Sequence, residues 1–109
     1  MRIPNVHKEN IHMKKYELMT VYPIEDDKFK DGTDKVKAVL AQFGAQVEKE
    51  ESYGDRDLAY EINKTKRGRF VLFTVKANPA KISEINTQFR LNANLLKSLF
   101  VRIDEKQVK

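Results

Sequence analysis

The sequence predicts an α+β domain in which one four-stranded antiparallel sheet carries two helices on a single face. Three observations carry that expectation. Apolar residues recur with strand period in four stretches and with helix period in two. The stretches follow one another as strand, helix, strand, strand, helix, strand. At 109 residues the chain is long enough for one two-layer core and too short for two.

The elements follow in order. Residues 1–12 show no sustained period and hold an early proline, so they read as a disordered extension before a domain spanning 13–104. From Lys14 to Tyr22 strand formers dominate and Pro23 ends the run; Tyr16, Leu18 and Thr20 share one face and Met19 and Val21 the other, as in a central strand. Val36, Val39, Leu40 and Phe43 then repeat at helical spacing, with Asp26 or Asp31 as the expected cap and Gly44 at the expected left-handed C-terminus. A mostly exposed second strand runs from Ala45 and Val47 through Tyr53 to Ile62, with a bulge or bend expected at Gly54. Arg69 to Lys76 is the third strand. Asn78 caps the next helix, with Pro79 at its first position and Ile82, Ile85 and Phe89 as its core stripe. Leu95 to Ile103 forms the last strand, and residues 105–109 form a polar tail.

This order is that of the ferredoxin-like βαββαβ sandwich. Right-handed crossovers place both helices on one face, with the first and third strands central and the second and fourth at the edges. The other sheet face is left for a partner. Between the second and third strands lies a hairpin whose connection is cationic: Lys64, Lys66, Arg67 and Arg69 fall within six residues, with Gly68 expected to ease the turn. Cations gathered at a hairpin tip suit phosphate contact. Charge along the chain is uneven in the same sense. Residues 25–57 hold six cations and ten anions and residues 58–109 eleven and four, within a net charge of +5.

Composition excludes several classes. Without cysteine there is no disulfide and no thiolate site. His7 and His12 are the only histidines and make an incomplete ligand set, so neither a metal nor a cofactor is expected. No apolar run reaches membrane-spanning length and the N-terminus lacks a signal peptide's apolar core, which points to the cytoplasm. Four singly scattered glycines form no phosphate loop, and no nucleophile sits beside a base, so an enzyme is not expected.

From Met13 to about Asp104 the chain resembles the bacterial small-subunit ribosomal protein S-six family. The resemblance is carried by Lys14-Lys15-Tyr16-Glu17, Phe43-Gly44-Ala45, Leu58-Ala59-Tyr60-Glu61-Ile62 with Lys64, and Gly68-Arg69-Phe70. It implies a structural RNA-binding protein held to the central domain of small-subunit ribosomal RNA and paired with ribosomal protein S-eighteen. It also implies RNA contact by Lys14, Lys15 and Tyr16 at the start of the first strand and by Lys64. Asp57, Glu61 and Leu96 depart from the family pattern, in which a basic residue, a proline and a basic residue are common.

The RNA-contact set expected from hairpin and resemblance together is Lys14, Lys15, Tyr16, Arg56, Lys64, Lys66, Arg67 and Arg69. Tyr60, Lys97, Phe100 and Arg102 are the expected partner contacts, with Phe100 chosen because it is out of phase with Leu99 and Val101. Phe70 and Phe73 at strand spacing read as core, whereas the Tyr16 and Tyr60 hydroxyls suit a rim. The acidic alternation Glu48, Glu50, Glu51, Asp55 and Asp57 reads as an exposed edge strand facing a basic partner. A rival on the same topology is the RNA-recognition motif. Its third-strand signature is approached by Arg67-Gly68-Arg69-Phe70-Val71-Leu72-Phe73, but Arg69 stands where the first stacking aromatic belongs.

Overall fold

A computed structural model describes residues 13–103. Strand β1 (Lys14–Tyr22) leads through Pro23 into helix α1 (Asp26–Gln42), and strands β2 (Gln46–Ile62) and β3 (Thr65–Ala77) form the hairpin. A 3-10 turn (Pro79–Lys81) opens helix α2 (Ile82–Arg90), and β4 (Lys97–Arg102) closes the chain. The sheet order is β2-β3-β1-β4 and all three pairings are antiparallel, so β1 and β3 are central as expected. The expected extension 1–12 and tail 105–109 lie outside the described residues.

Strand alternation decides what is buried. Tyr16, Leu18, Thr20 and Tyr22 of β1 stand opposite Val75, Phe73, Val71 and Arg69 of β3. With Val36, Leu40, Ile85 and Phe89 from the helices, the apolar members form the core between sheet and helices. Thr20 lies among them without cost because its hydroxyl donates to the Val71 carbonyl at 2.9 Å.

Helix α1 begins at Asp26, but neither Asp26 nor Asp31 caps it. Glu25 occupies the cap position without a side-chain hydrogen bond, and its carbonyl accepts from the Phe29 amide at 2.8 Å. Asp26 and Asp27 in the first turn suit the positive end of the helix dipole. The C-terminus closes as expected: Gly44 has φ +75°, its amide donates to the Ala41 carbonyl, and the Ala45 amide donates to that of Leu40. Gly32 has a reason that helix periodicity does not reveal. A Cβ there would meet the Asn94 carbonyl and come within 2.9 Å of the Tyr22 ring, while the buried Asn92 donates through Nδ2 to the Gly32 carbonyl at 3.1 Å. The loop before β4 is thereby held against the middle of α1.

At the start of the second helix Asn78 accepts from the Ala80 amide through Oδ1 at 3.0 Å, with Pro79 in the first turn. That turn is 3-10 before the α-helix proper begins at Ile82. The last strand is shorter than expected, since Leu95 and Leu96 belong to its approach. The third begins four residues earlier, at Thr65.

Candidate nucleic-acid and partner interface

Strand β1 ends at Tyr22, opposite Arg69, so the hairpin from Arg56 to Gly68 runs on past the end of its neighbour as an arm. The arm turns at Asn63 and Lys64, whose φ values of 51° and 64° are both positive, as a two-residue hairpin turn matching strand twist requires. The expectation that Gly68 makes this turn is corrected. Gly68 lies within β3, opposite Arg56, and is glycine because a Cβ would collide with Val21 Cγ1.

Between the pairs Asp57 with Arg67 and Ile62 with Thr65, β2 has four residues where β3 has one. Leu58, Ala59, Tyr60 and Glu61 therefore bulge, and simple alternation of Leu58, Tyr60 and Ile62 is broken there. The bulge leans over the sheet face that carries no helix. Leu58 lies near Gly68, Val21 beneath is only 3% exposed, and the Tyr60 hydroxyl accepts from Lys97 Nζ at 3.3 Å. The ammonium of Lys97 is also 5.6 Å from the Tyr60 ring centroid, within cation–π reach.

The four hairpin cations have separate fates. Lys64 occupies the exposed turn and Lys66 is exposed with Glu61 3.9 Å away, so both present charge at the tip. Arg67 pairs with Asp57 at 3.3 Å on the arm's flank. Arg69 is already committed and is corrected from phosphate contact to a clamp. Its Nε and Nη2 donate to the Asp55 carboxylate at 2.7 and 3.3 Å, its Nη1 to Asp26 at 3.1 Å, and its guanidinium sits 4.8 Å from the Phe29 ring centroid. The Arg69 hydrogen bond, first among the causes, holds the Asp55 carboxyl below the usual aspartate range.

The remaining expected residues are dispersed. Lys14 and Lys15 stand at the opposite end of β1, roughly 26 Å from the arm at about 3.3 Å per residue. Lys15 pairs with Glu48 at 3.5 Å. Tyr16 is a core residue, 7% exposed, with its ring edge-on to Phe100 at 5.7 Å, so its expected RNA-facing ring is corrected. Arg56, exposed on the arm, donates through Nε to the Tyr53 carbonyl. Phe100 is corrected in the same way as Tyr16: it faces the helices and stacks on Phe89 at 6.2 Å. The residues out of phase with it, Leu99 and Val101, are the exposed ones, at 56% and 48%. Arg102 is exposed at the end of β4, opposite Tyr16.

The helix-free face thus gathers Tyr60 and Lys97 beside Leu99 and Val101, with Met19 behind them on β1. Periodicity contained the signal for Leu99 and Val101. What it lacked was which face of β4 the helices cover. The acidic run of β2 does not form an open acidic surface, because Glu48, Glu50, Glu51, Asp55 and Asp57 each pair with a cation of this chain. No group of three metal-ligating side chains occurs among the described residues, and no described helix is long and apolar enough to cross a membrane.

Fold and surface together define a ferredoxin-like α+β domain with both helices on one sheet face and a basic hairpin arm running past the end of β1. Comparison with known proteins narrows this class. The model of the family Ribosomal protein S6 matches residues 15–102. Small ribosomal subunit protein bS6 of Treponema denticola is 50% identical over 93 residues, covering 85% of this chain and all of the relative. The protein of the same name from Treponema pallidum strain Nichols is 42% identical over 92 residues, covering 84% and 99%. The chain belongs to the ribosomal protein S6 family. In three dimensions it is similar to 30S ribosomal protein S6 of Thermotoga maritima, with a TM-score of 0.76 at 18% identity over 88% of this chain and 92% of that one. The C-terminal domain of the MgtC protein from Mycobacterium tuberculosis shares the fold at a TM-score of 0.60 and 7% identity, so topology alone does not assign the role.

Proposed function

We propose that this chain is a structural constituent of the bacterial small ribosomal subunit, associated with the ribosome in the cytoplasm. In this reading residues 13–104 are the folded unit, which binds the central domain of small-subunit ribosomal RNA together with ribosomal protein S-eighteen. The observation that carries the reading is the arm: a two-residue turn places Lys64 and Lys66, both exposed, at the end of a hairpin that runs past the end of β1, where a phosphate backbone can reach them. Arg56 and Arg67 line the flank of the same arm, and Lys14 and Lys15 offer a second contact at the far end of β1. Tyr16 and Arg69 are left out of the contact set because their side chains serve the core and the clamp. For S-eighteen the favoured surface is the helix-free face around Tyr60, Lys97, Leu99 and Val101, where exposed apolar side chains lie beside cations. Membership in a family whose relatives are named as small-subunit proteins supports the same reading.

The test is a gel-shift titration of a folded central-domain ribosomal RNA fragment at two salt concentrations, with the protein alone and with S-eighteen. Tight, salt-sensitive binding that strengthens with S-eighteen and weakens for Lys64→Glu with Lys66→Glu is the expected result. Absence of a shift with or without S-eighteen overturns the reading, and binding to short single strands instead moves it to an RNA-recognition module.

A further inference from the structure

The arm is held at its root by Arg69, on the side of the sheet that the helices cover. Past Arg69 it has no ladder partner on β1, which ends there. Its own side-chain contacts stay within the hairpin: Lys66 with Glu61, Arg67 with Asp57 and the Asp55 carbonyl, Arg56 with the Tyr53 carbonyl, Thr65 with the Asn63 carbonyl. Among the described residues, the one polar or ring contact that joins residues 56–68 to an element outside the hairpin is that of Tyr60 with Lys97. That contact spans the sheet. β2 and β4 are its opposite edges, with β3 and β1 between them. Three strand spacings of about 4.8 Å, about 14 Å in all, separate the two. Tyr60 covers the distance because the bulge carries it back over the helix-free face. Val21, opposite Lys97 on β1, is 3% exposed although no helix covers it there.

We infer that Lys97 is a positioning residue for RNA contact: by holding the Tyr60 ring it sets the direction in which the arm presents Lys64 and Lys66. The inference rests on the RNA-binding reading above. Arg69 fixes the root of the arm from one face of the sheet and Lys97 fixes its bulge from the other. Two such points define a direction, whereas the root alone leaves a pivot. The ammonium suits the task because it lies within reach of the ring's π-face and donates to the ring's hydroxyl at the same time, with no charge buried. It is also uncommitted elsewhere, since no carboxylate among the described residues pairs with Lys97. In this role Lys97 acts through Tyr60 and touches no phosphate.

The experiment reads the arm's direction and RNA binding separately. The chain has no cysteine, so spin labels can be placed on Lys66→Cys in the arm and Ser83→Cys on α2. Double electron–electron resonance then gives the distance distribution between arm and helix. A narrow distribution is expected, broadened by Lys97→Met and kept by Lys97→Arg. In Tyr60→Leu it is already broad, and adding Lys97→Met changes nothing further. In parallel, unlabelled variants are titrated with the central-domain RNA fragment across a salt series, with S-eighteen at saturation so that a change in partner affinity does not enter. Lys97→Met is expected to weaken RNA binding about threefold, the range open to an exposed cation–π pair, with the slope of log affinity against log salt unchanged and with Lys97→Arg restoring the affinity. A distance distribution indifferent to Lys97→Met overturns the proposal. So does an equal effect of Lys97→Met with and without Tyr60, an unchanged RNA affinity, or a salt slope that falls by about one, the mark of direct phosphate contact. A parent chain that binds no RNA overturns the reading on which the inference rests, whereas an indifferent arm on a chain that binds RNA overturns the inference alone.

Discussion

Gly68 shows how one absent methyl group positions the hairpin arm. Its Cα faces Val21 Cγ1 more closely than any Cβ permits, with Leu58 Cδ2 3.4 Å and the Tyr22 carbonyl oxygen 3.5 Å from where that Cβ would be. Gly68→Ala must displace the Val21 side chain or ease β3 away from β1 at the root of the arm, and overpacking of this kind costs about 1–3 kcal/mol. Urea unfolding is expected to show the midpoint falling, with amide shifts in nuclear magnetic resonance centred on Val21 and Leu58. Tyr22 is the opposite case. Its ring packs edge-on to Phe29 at 5.3 Å in the core, but its buried hydroxyl makes no hydrogen bond with good geometry, and burial raises its pKa above the ordinary tyrosine range. Tyr22→Phe keeps the ring and removes an unsatisfied group, so the change in stability is expected to be within about 1 kcal/mol and in the stabilising direction. In the same way, an alkaline absorbance titration should show a late phase, above the ordinary tyrosine range, that Tyr22→Phe removes.

At the scale of the element, the arm is held by the clamp in which Arg69 of β3 joins Asp55 of β2 to Asp26 at the start of α1. Three elements meet at one guanidinium, which is also stacked on Phe29 and is 23% exposed. A planar fork suits this better than a point charge, so Arg69→Lys is expected to loosen the arm although the charge is kept. The clamp gives the fold a pH dependence whose sign is fixed. The folded-state pKa of Asp55 is lowered, so its stabilising contribution is present above the unfolded value of about 3.9 and lost as pH falls through the lower folded value. Asp55→Asn is therefore expected to unfold more readily than the parent chain at pH 7 and pH 5, with the difference shrinking below pH 4. Urea midpoints at pH 7, 5 and 3 check this, and a gap that persists unchanged at pH 3 assigns the loss to packing instead.

For the molecule as a whole, RNA affinity should depend on charge at two ends of the sheet. Each phosphate contact by a lysine contributes roughly one unit to the slope of log affinity against log salt. Lys64→Glu with Lys66→Glu is expected to reduce that slope by about two, whereas Arg69→Ala should lower affinity mainly by releasing the arm and should lower the unfolding midpoint as well. Filter binding across a salt series, read beside urea unfolding of the same variants, separates contact from positioning. The helices contribute to this only through the core. Val36 and Leu40 on α1 with Ile85 and Phe89 on α2 cover one sheet face, which leaves the other without a helix.

Local chemistry was enough to determine much of this protein. Strand and helix periods, Pro23, Gly44 and the Asn78-Pro79 pair place six elements in the order that the sheet adopts, because each signal acts within one turn or one strand. The cationic hairpin was legible for the same reason, and so was the ribosomal protein S6 family, from short segments in fixed order. Decisions that depend on two distant segments meeting belonged to the tertiary structure. Whether Leu99 or Phe100 faces the helices depends on where α2 lies, and whether Arg69 is free depends on Asp26, 43 residues away. Gly68 and Gly32 look like turn or breaker residues until Val21 and Asn94 are brought against them. A side chain's type fixes which contacts it can make; only the packed fold decides which of them is already taken.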